Sequence, residues 1–417
     1  MLHRAAWVVP VSSPPIPNGA VLVRNHTVLS VGDHGTVQAQ CPPHTLRVDH
    51  GSKALIPALV NAHTHLELSA FEGTIPFPQE SFASWLRELL PRRPGLSPEQ
   101  EKDALLQGKR RLTASGTGLY GDIANRVNPP YEMAGASPEA HVFVEVLGFN
   151  QDDLGSAVVL NGLDAPDALD AMNGARQNGF SYSFAAHACY SASAEIILQS
   201  KEWCRKRGAP FSIHAAEHLD EVEFLSDGTG FCRQLLESLG RWSPHWKPPR
   251  LTPVEYLKEL GVLDGRTILV HAVHMTGRDW EIVAEHGCFV CFCPRSNYNV
   301  SAGRADMEAP LGLGIPMALG TDSLASNSDL NLFSEASYVL DHYPSIPPEA
   351  VLSMITLGGA RALRREDRHG AIGAGKSATF LSVAVPHPLN SSSQLMEIII
   401  RQGKEGAWQW ANSPMNG

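Results

Sequence analysis

The chain has 417 residues, 43% of them apolar and 18% charged, which is ample for a large buried core and excludes a disordered polypeptide. Its formal net charge of −10 is spread along the sequence, which excludes a basic nucleic-acid footprint. Seven cysteines without framework spacing fit a reducing compartment, and no stretch reads as a secretion signal or a membrane span, so a cytoplasmic protein without membrane contact is expected.

Taken in order, residues 1–54 read as short strands (7–11, 20–24, 27–31 and 46–49) punctuated by Pro14-Pro15, Asn18-Gly19 and Gly32. An apolar strand over 55–61 then stops at His63 and His65. Helices are expected over 80–90 and 98–115, the second with Ser97 as N-cap and Pro98 at its first position. Strands follow over 118–123, 141–147, 180–185 and 211–215, with a helix over 192–206 before the last. Residues 219–251 are longer than a plain connector and read as a lid or helical insertion, with an ordered loop around Trp242 and Trp246. A helix over 252–260, a strand over 268–271, a helix over 278–286 and strands over 289–293 and 316–319 complete the alternation. Cys288, Cys291 and Cys293 read as small packing residues of one strand. Beyond Gly370, two further strands are expected over 378–385 and 395–401.

Eight strands alternating with helices predict an α/β fold, a closed (β/α)8 TIM barrel over 57–369. The ends, 1–56 and 370–417, are expected to join as a small flanking β-sandwich.

Ligand-type residues recur where barrel strands end. His63 and His65 are two apart, so on a strand both imidazoles project from one side. His214 follows 211–213, with Glu217 three residues on. His271 ends the strand at 268–271, and Asp322 follows 317–321. Neutral imidazoles and one carboxylate suit a divalent ion, Zn or Fe(II), which lowers the pKa of a bound water from about 15.7 towards about 7. Glu217 is placed to carry a proton to a substrate nitrogen, His271 to orient the water and Asp322 to accept its proton. A two-metal centre needs an anionic bridge. The lysines between Leu112 and Ile213, Lys201 and Lys206, fall on an expected helix and not at a strand end, so one ion is expected, with Glu145 left in a structural or substrate-side role.

These segments resemble the amidohydrolase superfamily, and within it the metal-dependent deaminase and chlorohydrolase branch. The resemblance rests on Pro57 to His65, Gly116 to Asp122, His214-Ala-Ala-Glu217, His271-Ala-Val-His274 and Leu319 to Asn327. It implies His63, His65, His214 and Asp322 as metal ligands, Glu217, His271 and Asp322 as the proton-handling set, and His187 as a substrate contact. The segments around Glu67, Cys293-Pro-Arg295-Ser-Asn297 and Ser323 are similar to aminodeoxyfutalosine deaminases of menaquinone biosynthesis. That similarity implies Glu67 for sugar hydroxyls, Arg295 for a carboxylate and Ser323 as a further contact. The expected activity is hydrolytic deamination of an amino-purine nucleoside by a metal-bound hydroxide. The alternatives are deamination of S-adenosylhomocysteine, methylthioadenosine or guanine, removal of halide from a triazine, and a barrel scaffold without catalysis. The expected partner is a small-molecule substrate, and apolar barrel faces allow for a homodimer.

Overall fold

In the computed structural model, which describes residues 1–125, 138–160, 180–386 and 391–411, the chain starts as a sheet. Strands β1 (Leu2–Val8), β2 (Ile16–Arg24), β3 (Thr27–Asp33), β4 (Arg47–Asp49) and β5 (Lys53–Pro57) come first. The barrel strands follow: β6 (Leu59–Thr64), β7 (Thr117–Ala124), β8 (Glu139–Val146), β9 (Phe180–Ala188), β10 (Phe211–Ala215), β11 (Thr267–His271), β12 (Phe289–Phe292) and β13 (Met317–Leu319). Strands β14 (Phe380–Ala384) and β15 (Trp408–Trp410) return to the first sheet.

The eight barrel strands are parallel neighbours in sequence order. The ring closes through a parallel bridge between Thr64 and Asp322. There the Thr64 hydroxyl donates to the Asp322 carbonyl at 2.9 Å, and the Asp322 amide donates to His63 O at 3.1 Å. Gly320 makes the close approach possible, since a Cβ there would lie 2.7 Å from the His63 Cβ. The two chain ends meet where β14 pairs antiparallel with β5, in a seven-stranded sheet ordered β15-β14-β5-β1-β2-β3 with β4 beside β1.

Two differences from the sequence expectation have physical causes. The apolar run at 55–61 is not one strand but two, β5 and β6, with the chain leaving the terminal sheet at Ala58. Both pieces are buried, so their composition carries no mark of the change. The expected strand over 395–401 is a helix, Ser392–Lys404, capped by the Ser391 hydroxyl on the Gln394 amide. Its buried residues Leu395, Met396, Ile399, Ile400 and Gly403 repeat with the helical period and outweigh the β-branched triplet Ile398–Ile400. Gly403 packs where a Cβ would meet the Phe333 ring at 2.4 Å.

Helix Pro98–Ala114 starts on a capping box, Ser97 with Gln100. The long segment after β10 is helical, Leu219–Asp227 and Gly230–Ser238. The loop behind it is fixed by stacking, Trp246 on Phe224 at 4.6 Å and Trp242 on Phe149 at 5.9 Å. No helix among the described residues is long and apolar enough to cross a membrane.

Candidate metal centre

Parallel barrel strands present their carboxyl ends on one face, so side chains far apart in sequence meet there. β6 supplies His63 and, just beyond it, His65. β10 supplies His214, β11 ends on His271, and Asp322 lies three residues past β13. The Nε2 atoms of His63 and His65 are 3.2 Å apart, and Asp322 Oδ1 is 3.8 Å from the first and 3.5 Å from the second. The His214 ring lies 5.0 Å from His63 and 5.6 Å from His65. Ligating atoms of His63, His65 and Asp322, and of His63, His214 and His271, fall within 4.8 Å of one another.

The residues fit a divalent cation on two grounds. Atoms about 2.0–2.1 Å from a tetrahedral ion lie about 3.3 Å apart, which matches the His63–His65–Asp322 triangle. The second ground is charge. Burial holds His63 and His214 well below the usual imidazole range and brings His271 down to about 4, so these rings are neutral. Burial also opposes the Asp322 charge, and its carboxyl is drawn well below the usual range by positive charge at the positions of His65, His271 and His63, with help from the Ser296 hydroxyl. A buried anion surrounded by neutral rings needs a cation from outside the chain.

Supporting contacts aim the ligands. His214 Nδ1 donates to the His187 carbonyl at 2.8 Å, which leaves Nε2 with its lone pair free. Asp322 Oδ2 accepts from the hydroxyls of Ser296 at 2.5 Å and Ser326 at 2.8 Å, so Oδ1 is the atom that faces the imidazoles. The backbone is left-handed at Ala216, His271, Ala272 and Asp322, with φ of 53°, 73°, 49° and 59°. Each such residue costs roughly 1 kcal/mol or more, strain that is concentrated at the rim.

Beside the cluster stands the proton-handling pair. His271 Nδ1 donates to Asn297 Oδ1 at 2.8 Å, and its Nε2 faces Glu217 Oε1 at 3.5 Å. Burial, with the carboxyl groups of Asp322 and Glu221 nearby, pushes the Glu217 carboxyl well above its usual range, which favours its protonated form.

The sequence matches the amidohydrolase family over residues 54–404. The chain belongs to that family. This amidohydrolase is 32% identical over 360 residues to the aminodeoxyfutalosine deaminase of Deinococcus radiodurans, covering 83% of this chain and 81% of the relative. It is 28% identical over 405 residues to a 5-methylthioadenosine/S-adenosylhomocysteine deaminase of Moorella thermoacetica, covering 93% and 86%. Its fold superposes on that of Helicobacter pylori aminofutalosine deaminase in complex with methylthio-coformycin, with a TM-score of 0.82 and 22% identity over 96% of each chain. It is a hydrolase acting on C–N bonds.

The amidohydrolase centre opens into a cavity of about 560 Å³ that Glu67, His187 and Ser323 also line. Glu67 holds Arg93 at 2.6 Å and the side chain and amide of Asn125 at 2.7 and 3.0 Å. His187 bonds the Ser191 hydroxyl at 2.6 Å and lies 4.0 Å from Glu145. Glu145 lines the cavity, is tied to Asn125 at 3.1 Å, and has its carboxyl pushed up by burial.

Arg295 is not brought to this cavity. Its guanidinium forks onto Asp329 at 2.8 and 3.0 Å, with Glu335 at 3.5 Å and the Ser328 hydroxyl at 2.7 Å. Those partners occupy both terminal nitrogens and balance its charge, which holds it away from a carboxylate of the substrate. The cations that do line the cavity are Arg93, Lys102 and Arg241, and Arg241 has no ion pair among the described residues. Sequence reading missed Arg93 and Arg241 because both sit in connecting segments. It also passed over Ser296 and Asn297, although both follow Cys293-Pro-Arg295 at the end of a barrel strand, where contacts to a site are expected.

Proposed function

We propose that this amidohydrolase is a hydrolytic deaminase of an adenine-type nucleoside with an apolar, anionic 5′ substituent, and that aminodeoxyfutalosine is the substrate of this class it takes. The observation that carries the reading is Glu217, a buried carboxyl with raised proton affinity that stands 3.5 Å from His271 beside the ligand cluster. Deamination needs such an acid, because the ring nitrogen next to the amine-bearing carbon must gain a proton as water adds. A divalent ion held by His63, His65, His214 and Asp322 supplies Lewis acidity that makes water reactive at neutral pH.

The chain's own groups do the rest. Glu217 donates its proton to the ring nitrogen. Neutral His271, held by Asn297, turns Nε2 to the attacking water. Ionised Asp322 takes the water's proton and passes it to the amine, which leaves as ammonia, while the hydroxyl's remaining proton returns to Glu217 and a carbonyl is left on the ring. Glu67 retains lone pairs for ribose hydroxyls beyond those that Arg93 and Asn125 use.

Phe82, Trp85, Leu89, Leu105, Leu235 and Leu239 give the outer cavity an apolar wall. Arg241, which has no ion pair among the described residues, lines the same cavity and favours a carboxylate on an apolar tail over an uncharged substituent. The Moorella relative supports a second reading, deamination of methylthioadenosine or S-adenosylhomocysteine. Ammonia release by metal-replete enzyme from aminodeoxyfutalosine, methylthioadenosine, S-adenosylhomocysteine and guanine separates them. Release of chloride from a triazine, with no ammonia from any purine, would sink the deaminase reading.

A further inference from the structure

The peptide that joins Ala216 to Glu217 is gripped at both ends. Its carbonyl accepts from the amides of Val273 at 2.9 Å and His274 at 2.8 Å, on the loop that follows His271. Its N–H donates to Glu221 Oε2 at 3.1 Å. Ala216 itself is left-handed, φ 53°, so this short turn is not held by backbone preference. Glu221 is fully buried, and the amides of Ala216 and Cys189 also face its carboxyl.

An acid in the first turn of a helix ordinarily sits in water and reaches back to the N-cap amide. Glu221 does neither. The N-cap of helix Leu219–Asp227 is His218, and Glu221 reaches one residue past it, from the interior. Burial pushes its own carboxyl up to about 8, so it is a neutral group placed at a cost that helix capping alone does not require.

We infer that Glu221 is a positioning residue for Glu217: it fixes the plane of the 216–217 peptide and so turns the Glu217 carboxyl into the cavity opposite His271. The inference rests on the role proposed above for Glu217.

The test uses metal-loaded enzyme and the adenine nucleoside it deaminates fastest. Glu221→Leu keeps the volume and removes the acceptor. It is expected to lower kcat on the order of 10²-fold, the scale of a misplaced reacting group, with KM and metal stoichiometry unchanged. Glu221→Gln keeps an acceptor oxygen and is expected to restore most of the rate. Glu221→Asp keeps a buried carboxyl but shortens its reach, and is expected to lose rate as the Leu variant does, including where the Leu variant does not fold. In a Glu217→Gln background, Glu221→Leu is expected to cost nothing further, because the group it positions is gone.

An equal loss in both backgrounds, or full kcat in the Asp variant, overturns the inference. Full activity of Glu217→Gln alone overturns the role of Glu217 instead, so the two failures are distinguishable.

Discussion

Both ends of the barrel bury ionisable groups, and they treat them in opposite ways. On the underside, Glu139 at the start of β8 is met by Arg365 at 2.6 Å, His369 at 3.2 Å and Arg368 at 3.5 Å. His141 above it bonds the hydroxyls of Ser181 and Ser183, each at 2.7 Å. Charge there closes on itself. At the rim, the Asp322 anion faces neutral imidazoles, the Glu217 acid is deprived of water, and four residues sit in strained backbone. An end that neutralises its own charges holds the fold, and an end that leaves them unbalanced is poised for an ion and a reaction.

The sharpest way to break this contrast is Asp322→Asn, which removes the unbalanced anion. Deaminase activity should fall on the order of 10⁴-fold and metal content should fall with it, read by ammonia release and elemental analysis. Glu217→Gln separates ion from acid. Metal should stay at wild-type stoichiometry while kcat drops on the order of 10³-fold, and full turnover in that variant would remove Glu217 from the mechanism.

The underside should answer in stability and not in rate. Arg365→Ala leaves Glu139 short of a partner and should cost roughly 2 kcal/mol in denaturant unfolding, with kcat unchanged. Burial opposes the Glu139 charge, but His369 and Arg365 hold its carboxyl down to about 2. A folded value below the unfolded one adds stability in full above about pH 4.3, and that stability is lost as pH falls through about 2. Acid titration of the unfolding free energy should therefore steepen between those values in the wild type and flatten in Glu139→Gln. The smallest effect concerns the outer cavity. Arg241→Ala should raise KM roughly 10-fold for a substrate with a carboxylate tail and leave methylthioadenosine unaffected.

The rim was legible in the sequence because its chemistry is written in residue types at fixed places. Histidine and aspartate stand where apolar runs stop, and parallel strands guarantee that such stops share a face. The cavity wall was not legible. Arg241 and Arg93 reach the cavity from loops whose course depends on packing between helices, as where the partly buried Phe231 and Leu235 pack against the buried cluster of Phe82 and Leu86. Arg295 had the right chemistry and the right strand end, and what diverted it was Asp329, 34 residues later. The break between β5 and β6 was hidden because a buried strand looks alike in either sheet. Helix Ser392–Lys404 was hidden by three consecutive isoleucines, since local propensity for a strand competed with a longer-range helical period.

The bridge that closes the ring joins Thr64 to Asp322, residues 258 positions apart in the chain. The β5–β14 pairing spans more chain still, but this contact is the one that needs every barrel strand between its ends in place. During synthesis, the histidines of β6 emerge early, yet the carboxylate that completes their set leaves the ribosome only with the final barrel strand. The full set of His63, His65, His214 and Asp322 is thus assembled only once the two edges of the barrel have found each other.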